Sequence, residues 1–552
     1  MSPVFLNSKR LDSKKDDSLF DFADSLSIRV PTSCGRTGEC HECIVEVRRG
    51  ADALTPPTDS EKFLRGNYRL ACQALVADPS ADIDFSVLRR QPRILTSGTR
   101  RDVKLHPAYT RGGKDGENVV FDGPDGPITI DTYRGAIYGI AADLGTTTVV
   151  LNLVDLESGE TVYTASFENP QRFGGSDIMN RITYDGGPDA GELQAVMVSS
   201  INFEIGEMVR ALKIRRRQIY EIVAVGNTTM RELFFGIDVQ SIGTRPYKST
   251  IEDEFRAHKR PNMSLSTTAV KLGLRIHPKA TVYGGPLIAS HLGADVAADL
   301  LALGMEDRTE PVILIDVGTN TEVVVGYNER LLAASCPAGP AFEGGQVTYG
   351  MPGYDGAVEK VAIDDRGEAK STVIGDVEPI GICGSGLIDL LAELRRTGLM
   401  NELGRFTDDS DEYEFSKSNK LTISRADISA LAQAKAANYC GQAIVLREYG
   451  LPIEKFEKLY LAGGFANYVN ESNAIDIGFI ANMPLDRVEK IGNAALEGAT
   501  IMLLSTPKRE EIEKLTATIE HIELETAPDF FDFFVEGCMF KPMENVWQGG
   551  QG

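Results

Sequence analysis

Apolar and polar positions divide this chain into two kinds of pattern. From about residue 136 onward, short apolar blocks are separated by polar, glycine-containing turns. Residues 137–142 and 149–154 read as two buried strands joined by a tight turn. Residues 312–315 and 322–325 repeat that arrangement. Strands are also expected from 219 to 225 and from 458 to 462, and a helix over 387–394. The first 92 residues read differently, as a small α+β unit. Short strands are expected at 4–6, 44–47 and 68–72. A helix at 18–25 puts Leu19, Phe20, Phe22 and Leu26 on one face, and a helical turn covers 59–64. Between 93 and 135 the apolar period is weak and Gly, Asp, Arg and Lys dominate. That stretch reads as a flexible linker or as a loop draped over the next domain. The pattern predicts four parts: 1–92, the linker 93–135, and two halves, 136–308 and 309–552, each with one copy of the hairpin.

Length and composition narrow the classes. The chain has 552 residues, 42% hydrophobic and 25% charged, enough for several cores. A net charge of −23 argues against nucleic acid and against an anionic membrane surface, both of which need a basic face. No apolar run reaches the length of a membrane span, and the N-terminal residues lack the apolar core of a leader. Four of the eight cysteines, Cys336, Cys383, Cys440 and Cys538, are scattered and read as reduced, buried thiols. Together these features predict a cytoplasmic protein.

The other four cysteines carry chemistry. Cys34, Cys40 and Cys43 share one loop with Gly35 and Gly38, and Cys72 follows after 28 intervening residues. Three thiolates in a glycine-containing loop and a fourth from a distant segment suit a [2Fe–2S] cluster. A structural zinc ion is the alternative. Zinc ribbons usually show two short Cys-x2-Cys knuckles, whereas here one composite loop meets a lone cysteine. His41 fits no Rieske spacing and is expected beside the cluster or in solvent.

The hairpin turns carry a second chemistry. Asp143-Leu144-Gly145-Thr146-Thr147-Thr148 recurs 173 positions later as Asp316-Val317-Gly318-Thr319-Asn320-Thr321. A Gly turn offers backbone N–H groups to an anion, and the hydroxyls add donors. Asp143 and Asp316 are expected to hold Mg²⁺ and to orient an attacking water. Two facing copies would clamp a nucleotide triphosphate. A third element, residues 458–466, ends a strand at Gly463-Gly464. Gly384-Ser385-Gly386 opens the 387–394 helix and reads as a phosphate contact or as a tight loop–helix junction. Residues 225–230 resemble an interlobe connection or simple turn chemistry. Neither a Walker A sequence nor a strand-placed Gly-x-Gly-x-x-Gly is present.

The two turns and the Gly-Gly strand end resemble the superfamily of acetate and sugar kinases, Hsp70 and actin. That resemblance implies a two-lobed, ribonuclease H-like α/β ATPase that binds ATP and Mg²⁺. The five-residue first gap between cysteines resembles adrenodoxin-type ferredoxins and implies a β-grasp ferredoxin domain. The combination, with Tyr68-Arg69-Leu70-Ala71-Cys72 and Gly381-Ile382-Cys383-Gly384-Ser385-Gly386, resembles the reductive activators of corrinoid-dependent methyltransferases. It implies ATP-dependent reduction of corrinoid Co(II) to Co(I), with a corrinoid protein and an upstream electron donor as partners and a homodimer as the assembly. One electron moved uphill by about 100 mV costs ~2.3 kcal/mol, which explains a need for ATP. Some members of that family carry an additional domain between ferredoxin and ATPase, where this chain has about 40 residues. Related activators in methanogens have further C-terminal clusters; only Cys538 lies near this C-terminus, so none is expected. Other readings are an activator of a radical dehydratase, a nucleotide-switched redox sensor and, least economically, a small-molecule kinase.

Overall fold

The computed structural model describes residues 3–6, 9–12, 14–87, 100–123, 126–464 and 466–544. The N-terminal unit is a five-stranded sheet in which Pro3–Leu6 runs parallel to Ile83–Val87, the central strand. Ile44–Arg49 and Tyr68–Leu70 complete one side. The helix Leu19–Ser25 starts at a capping box between Ser18 and Asp21 and buries Leu19, Phe20 and Phe22, as its apolar spacing predicts. This is the expected ferredoxin-like β-grasp arrangement.

Two six-stranded sheets follow. In the first, Tyr138–Leu144, Thr148–Asp155 and Thr161–Glu168 form an antiparallel meander, and Ile219–Val225 lies parallel to the first of them. In the second, Val312–Val317, Thr321–Tyr327 and Arg330–Cys336 repeat the meander, and Leu459–Ala462 takes the parallel place. Their strands are buried on both faces, so they read as continuous apolar runs rather than alternating ones. Two Ala-rich helices, Ala294–Leu303 and Ala494–Leu504, cross between the sheets. They approach so closely that a Cβ on Gly498 would stand 1.9 Å from the Ala298 carbonyl oxygen. Among the described residues, no helix is long and apolar enough to cross a membrane.

Two features bear on the expected boundaries. Residues 93–99 of the expected linker lie outside the described residues, but most of the remainder is folded. Tyr109–Gly112, Asn118–Gly123 and Gly126–Thr132 form a three-stranded antiparallel sheet. Its buried Tyr109 donates to the Lys279 carbonyl at 3.1 Å and packs beside Tyr220, fixing the sheet to the first lobe. Its apolar residues are few, so only docking gives them a core. The second half also reaches back onto the first. Helix Thr506–Thr516 returns to the first lobe, where the Arg509 guanidinium makes a bidentate pair with Glu221 at 2.9 and 2.8 Å. Glu513 there accepts from Ser264 and Tyr283 at 2.6 and 2.7 Å.

Candidate functional site

Both hairpin turns open into one cleft of about 550 Å³ between the lobes. Strand register places them there: Val149 pairs with Leu144 and Thr321 with Val317, so each turn caps its sheet at the same end. Asp143, Gly145, Thr146, Thr147 and Thr148 line one wall. Asp316, Gly318, Thr319 and Asn320 line the facing wall. Gly384, Ser385, Gly463 and Gly464 complete the rim. The first turn is held from behind. Asn169 donates its side-chain amide to the Gly145 carbonyl at 2.8 Å and its backbone N–H to the Thr147 carbonyl at 2.8 Å. Buried Arg181 donates to the Thr146 carbonyl at 2.7 Å. Asn227 caps the helix Thr228–Phe235, as the turn reading of its motif expects, and also donates to the Thr146 hydroxyl at 2.9 Å.

The cleft is strongly acidic. Beside Asp143 and Asp316 stand Asp295, Asp299 and Glu322, and among the described residues no Lys, Arg or His lines it. Burial pushes the Asp143 carboxyl up to about 7, against a 2.8 Å hydrogen bond from Asn493. Burial, and then the Asp295 charge, push Asp316 up to about 7; burial pushes Asp295 up to about 6. Asp299 and Glu322 are raised further, again chiefly by burial. Asp299 is 1% exposed, and no donor group satisfies its carboxylate oxygens; the side chain it shares a hydrogen bond with is another acid, Asp316. Buried carboxylates without partners are costly unless a cation joins them. No three of these side chains converge closely enough to hold a metal alone, among the described residues. A divalent cation could be held here only together with oxygens of a bound phosphate, the way Mg²⁺ is usually taken.

The cysteine loop sits on the same lobe as the first turn. Cys43 is buried and its sulfur lies 3.4 Å from that of Cys72; Cys34 and Cys40 are half-buried, and none forms a disulfide. The loop bends through left-handed backbone at Gly35, Arg36, Gly38 and His41. A four-thiol donor set on such a loop fits an iron–sulfur cluster. His41 is half-buried and does more than flank the thiols. Its ring stacks on Phe63 at 4.2 Å, and its Nδ1 lies 3.0 Å from Glu192, the first residue of the first-lobe helix Glu192–Leu212. Phe63 meets the edge of Phe173 at 5.4 Å, and Tyr184 donates to the Phe63 carbonyl at 2.7 Å. Phe173 belongs to the turn Pro170–Gly174, which Asn169 caps. A continuous set of contacts thus runs from the cysteine loop to the first hairpin turn.

Comparison with known families agrees with both halves of the site. Residues 310–548 match the C-terminal domain of RACo, the ASKHA domain, and residues 138–308 match the RACo middle region. Residues 4–77 match a 2Fe-2S iron-sulfur cluster binding domain. The chain belongs to the RACo family of ATP-dependent corrinoid reductive activators. It is 28% identical to the "Corrinoid activation enzyme RamQ" of Eubacterium limosum, covering 97% of this chain and 98% of that relative. It is 23% identical to the "[Co(II) methylated amine-specific corrinoid protein] reductase" of Methanosarcina barkeri, covering 72% and 76%. A solved structure of a "Reductive activator for corrinoid,iron-sulfur protein" superposes with a TM-score of 0.70 at 27% identity, covering 99% of both chains.

Within this RACo-family fold, two expected site residues stand apart from the cleft. Thr321 is buried at the start of its strand. Gly386 packs on the Val358 carbonyl, where a Cβ would stand at 2.4 Å, as the loop–helix reading of its motif implies. Phe465, after the Gly-Gly turn, lies outside the described residues. The sequence reading missed Asp295, Asp299, Glu322, Glu343 and Asn493. Asp295 and Asp299 had a signal: two acids four apart on an otherwise Ala-rich apolar helix. Glu343 and Asn493 had none, since their roles depend on the facing lobe.

Proposed function

We propose that this protein returns the cobalt of a methyltransferase corrinoid protein from Co(II) to Co(I), one electron per event, at the expense of ATP bound in the interlobe cleft. The observation that carries this reading is the docking of the cysteine loop on the lobe that holds the first phosphate turn. Cys34, Cys40, Cys43 and Cys72 would hold the [2Fe–2S] cluster, and Asp143 and Asp316 would hold Mg²⁺ with the phosphates. When bound, these groups supply one-electron transfer and charge neutralisation at the transferred phosphoryl. The chain's own part is to fix the donors. Asn169, Arg181 and Asn227 orient the first turn, and Asn493 orients Asp143. The charge of −23 favours a partner that presents a basic face. Electron balance requires a low-potential donor upstream, and scattered cysteines without disulfides support a cytoplasmic reaction. The Methanosarcina relative makes a methylated-amine corrinoid protein the first partner to try.

The test is anaerobic. Reduced protein, MgATP and a Co(II) corrinoid protein should yield the Co(I) spectrum, and omission of ATP should prevent it. Failure with every corrinoid partner removes the proposal. The dehydratase-activator reading requires a [4Fe–4S] signal by electron paramagnetic resonance, bound by cysteines of the ATPase fold. The separate cysteine domain speaks against it.

A further inference from the structure

Glu343 occupies an unusual place for an acid. It ends the short turn Ala341–Glu343 that follows the strand Arg330–Cys336. Its Oε2 accepts from the Thr147 hydroxyl at 3.0 Å and from the Thr319 hydroxyl at 2.8 Å. Those threonines belong to the two phosphate turns, one from each lobe. A single carboxylate oxygen therefore ties the lobes together across the cleft. The position is rigid. Gly344 has φ +91°, and a Cβ there would stand 2.4 Å from the Met351 backbone nitrogen. Phe342 is buried and meets Phe479 edge-on at 5.0 Å. The carboxylate is thus aimed by its backbone.

Each threonine hydroxyl has one proton to donate. Both are given to Glu343, so a phosphate oxygen that takes them must displace the carboxylate. The two acceptors are chemically alike: anionic, acceptor-only oxygens suited to the same hydroxyl pair. No cationic side chain lines the cleft among the described residues; the Arg172 and Arg181 charges act on Glu343 from behind the first turn, but burial outweighs them and raises its carboxyl, so a carboxylate left facing a phosphate is poorly compensated. We propose that Glu343 is a built-in phosphate mimic, a positioning residue that bridges the two turns in the nucleotide-free enzyme and is displaced by ATP. It lowers nucleotide affinity and makes breaking of the interlobe bridge a consequence of ATP binding. The inference rests on the nucleotide reading of the cleft and adds a competitor within it.

The test uses the full-length, cluster-loaded protein with Glu343→Gln, which keeps the shape and removes the charge, and Glu343→Ala, which removes the bridge. A magnesium complex of a non-hydrolysable ATP analogue is titrated into each, and the kcat and KM of ATP hydrolysis are separated. Thermal melting verifies folding. Both variants should bind the analogue more tightly, by about tenfold (~1.4 kcal/mol), with a KM that falls in step. Unchanged or weaker binding in both overturns the proposal, and a lost kcat at unchanged affinity reassigns Glu343 to the attacking water. Binding by the wild type tests the nucleotide reading on its own. If neither wild type nor variants bind the analogue, that reading fails and the mimic with it.

Discussion

Asp143 shows how one side chain links stability to chemistry. Its carboxyl is raised to about 7 by burial, as is that of Asp316, and Asp295 is raised to about 6. A carboxyl raised above its unfolded value binds more protons in the native state than in the unfolded chain. Between about pH 4 and pH 7, the nucleotide-free protein therefore loses stability as pH rises. Asp143→Asn should melt higher than the wild type at pH 8, on the order of a few degrees, and show little difference at pH 4. The same variant should lose about a hundredfold or more in ATP hydrolysis, because a charged group at the phosphates is removed. Differential scanning calorimetry and a phosphate-release assay read the two effects, and equal melting at pH 8 would refute the electrostatic account. Cys72 gives a simpler case. Cys72→Ser removes one thiolate of four and should abolish the visible bands that bleach on reduction, together with Co(I) formation.

Single helices and strands explain why the lobes can act on one ligand. The helices Ala294–Leu303 and Ala494–Leu504 share one apolar core with residues of both sheets, one following the first lobe and the other preceding the return helix. Their crossing at Gly498 leaves no room for a side chain. Gly498→Val must separate them, at a cost of about 1–3 kcal/mol if the backbone yields. Asp295 and Asp299 project from the first of these helices into the cleft, so the separation should also move the acids. The expected result is a lower melting temperature and an increased KM for ATP; a variant with wild-type KM would show that the crossing does not position the acids. The three-stranded sheet after residue 108 is a second instructive element. Its strands carry few apolar residues, yet Tyr109 and Val119 are fully buried once docked.

The whole molecule joins a redox domain to a nucleotide clamp through packing as well as through the chain. Leu6, Phe85 and their neighbours belong to one continuous apolar core with Ile140, Phe173 and Val196 of the first lobe. Phe63 lies at the centre of this interface, so Phe63→Ala should cost about 3–5 kcal/mol of packing there. Hydrogen exchange should then rise at residues 40–43, and ATP-driven Co(I) formation should slow. Unchanged exchange would mean that the docking does not depend on the aromatic stack. Much of this architecture is legible in the chain itself. The cysteine spacing, the repeated Asp-x-Gly-Thr turn and the apolar strands around it are local signals, because a metal loop, an anion nest and a buried strand each demand particular residues at fixed short intervals. The sequence alone thus determined the two chemistries and the duplicated fold. Tertiary structure decided what lies between them: that residues 109–123 and 126–132 form a docked sheet, that the helix Thr506–Thr516 returns to the first lobe, and that Asp295, Asp299, Glu343 and Asn493 join the cleft. These depend on contacts between residues tens to hundreds of positions apart, where a side chain's role is set by what the fold brings opposite it and leaves no periodic mark.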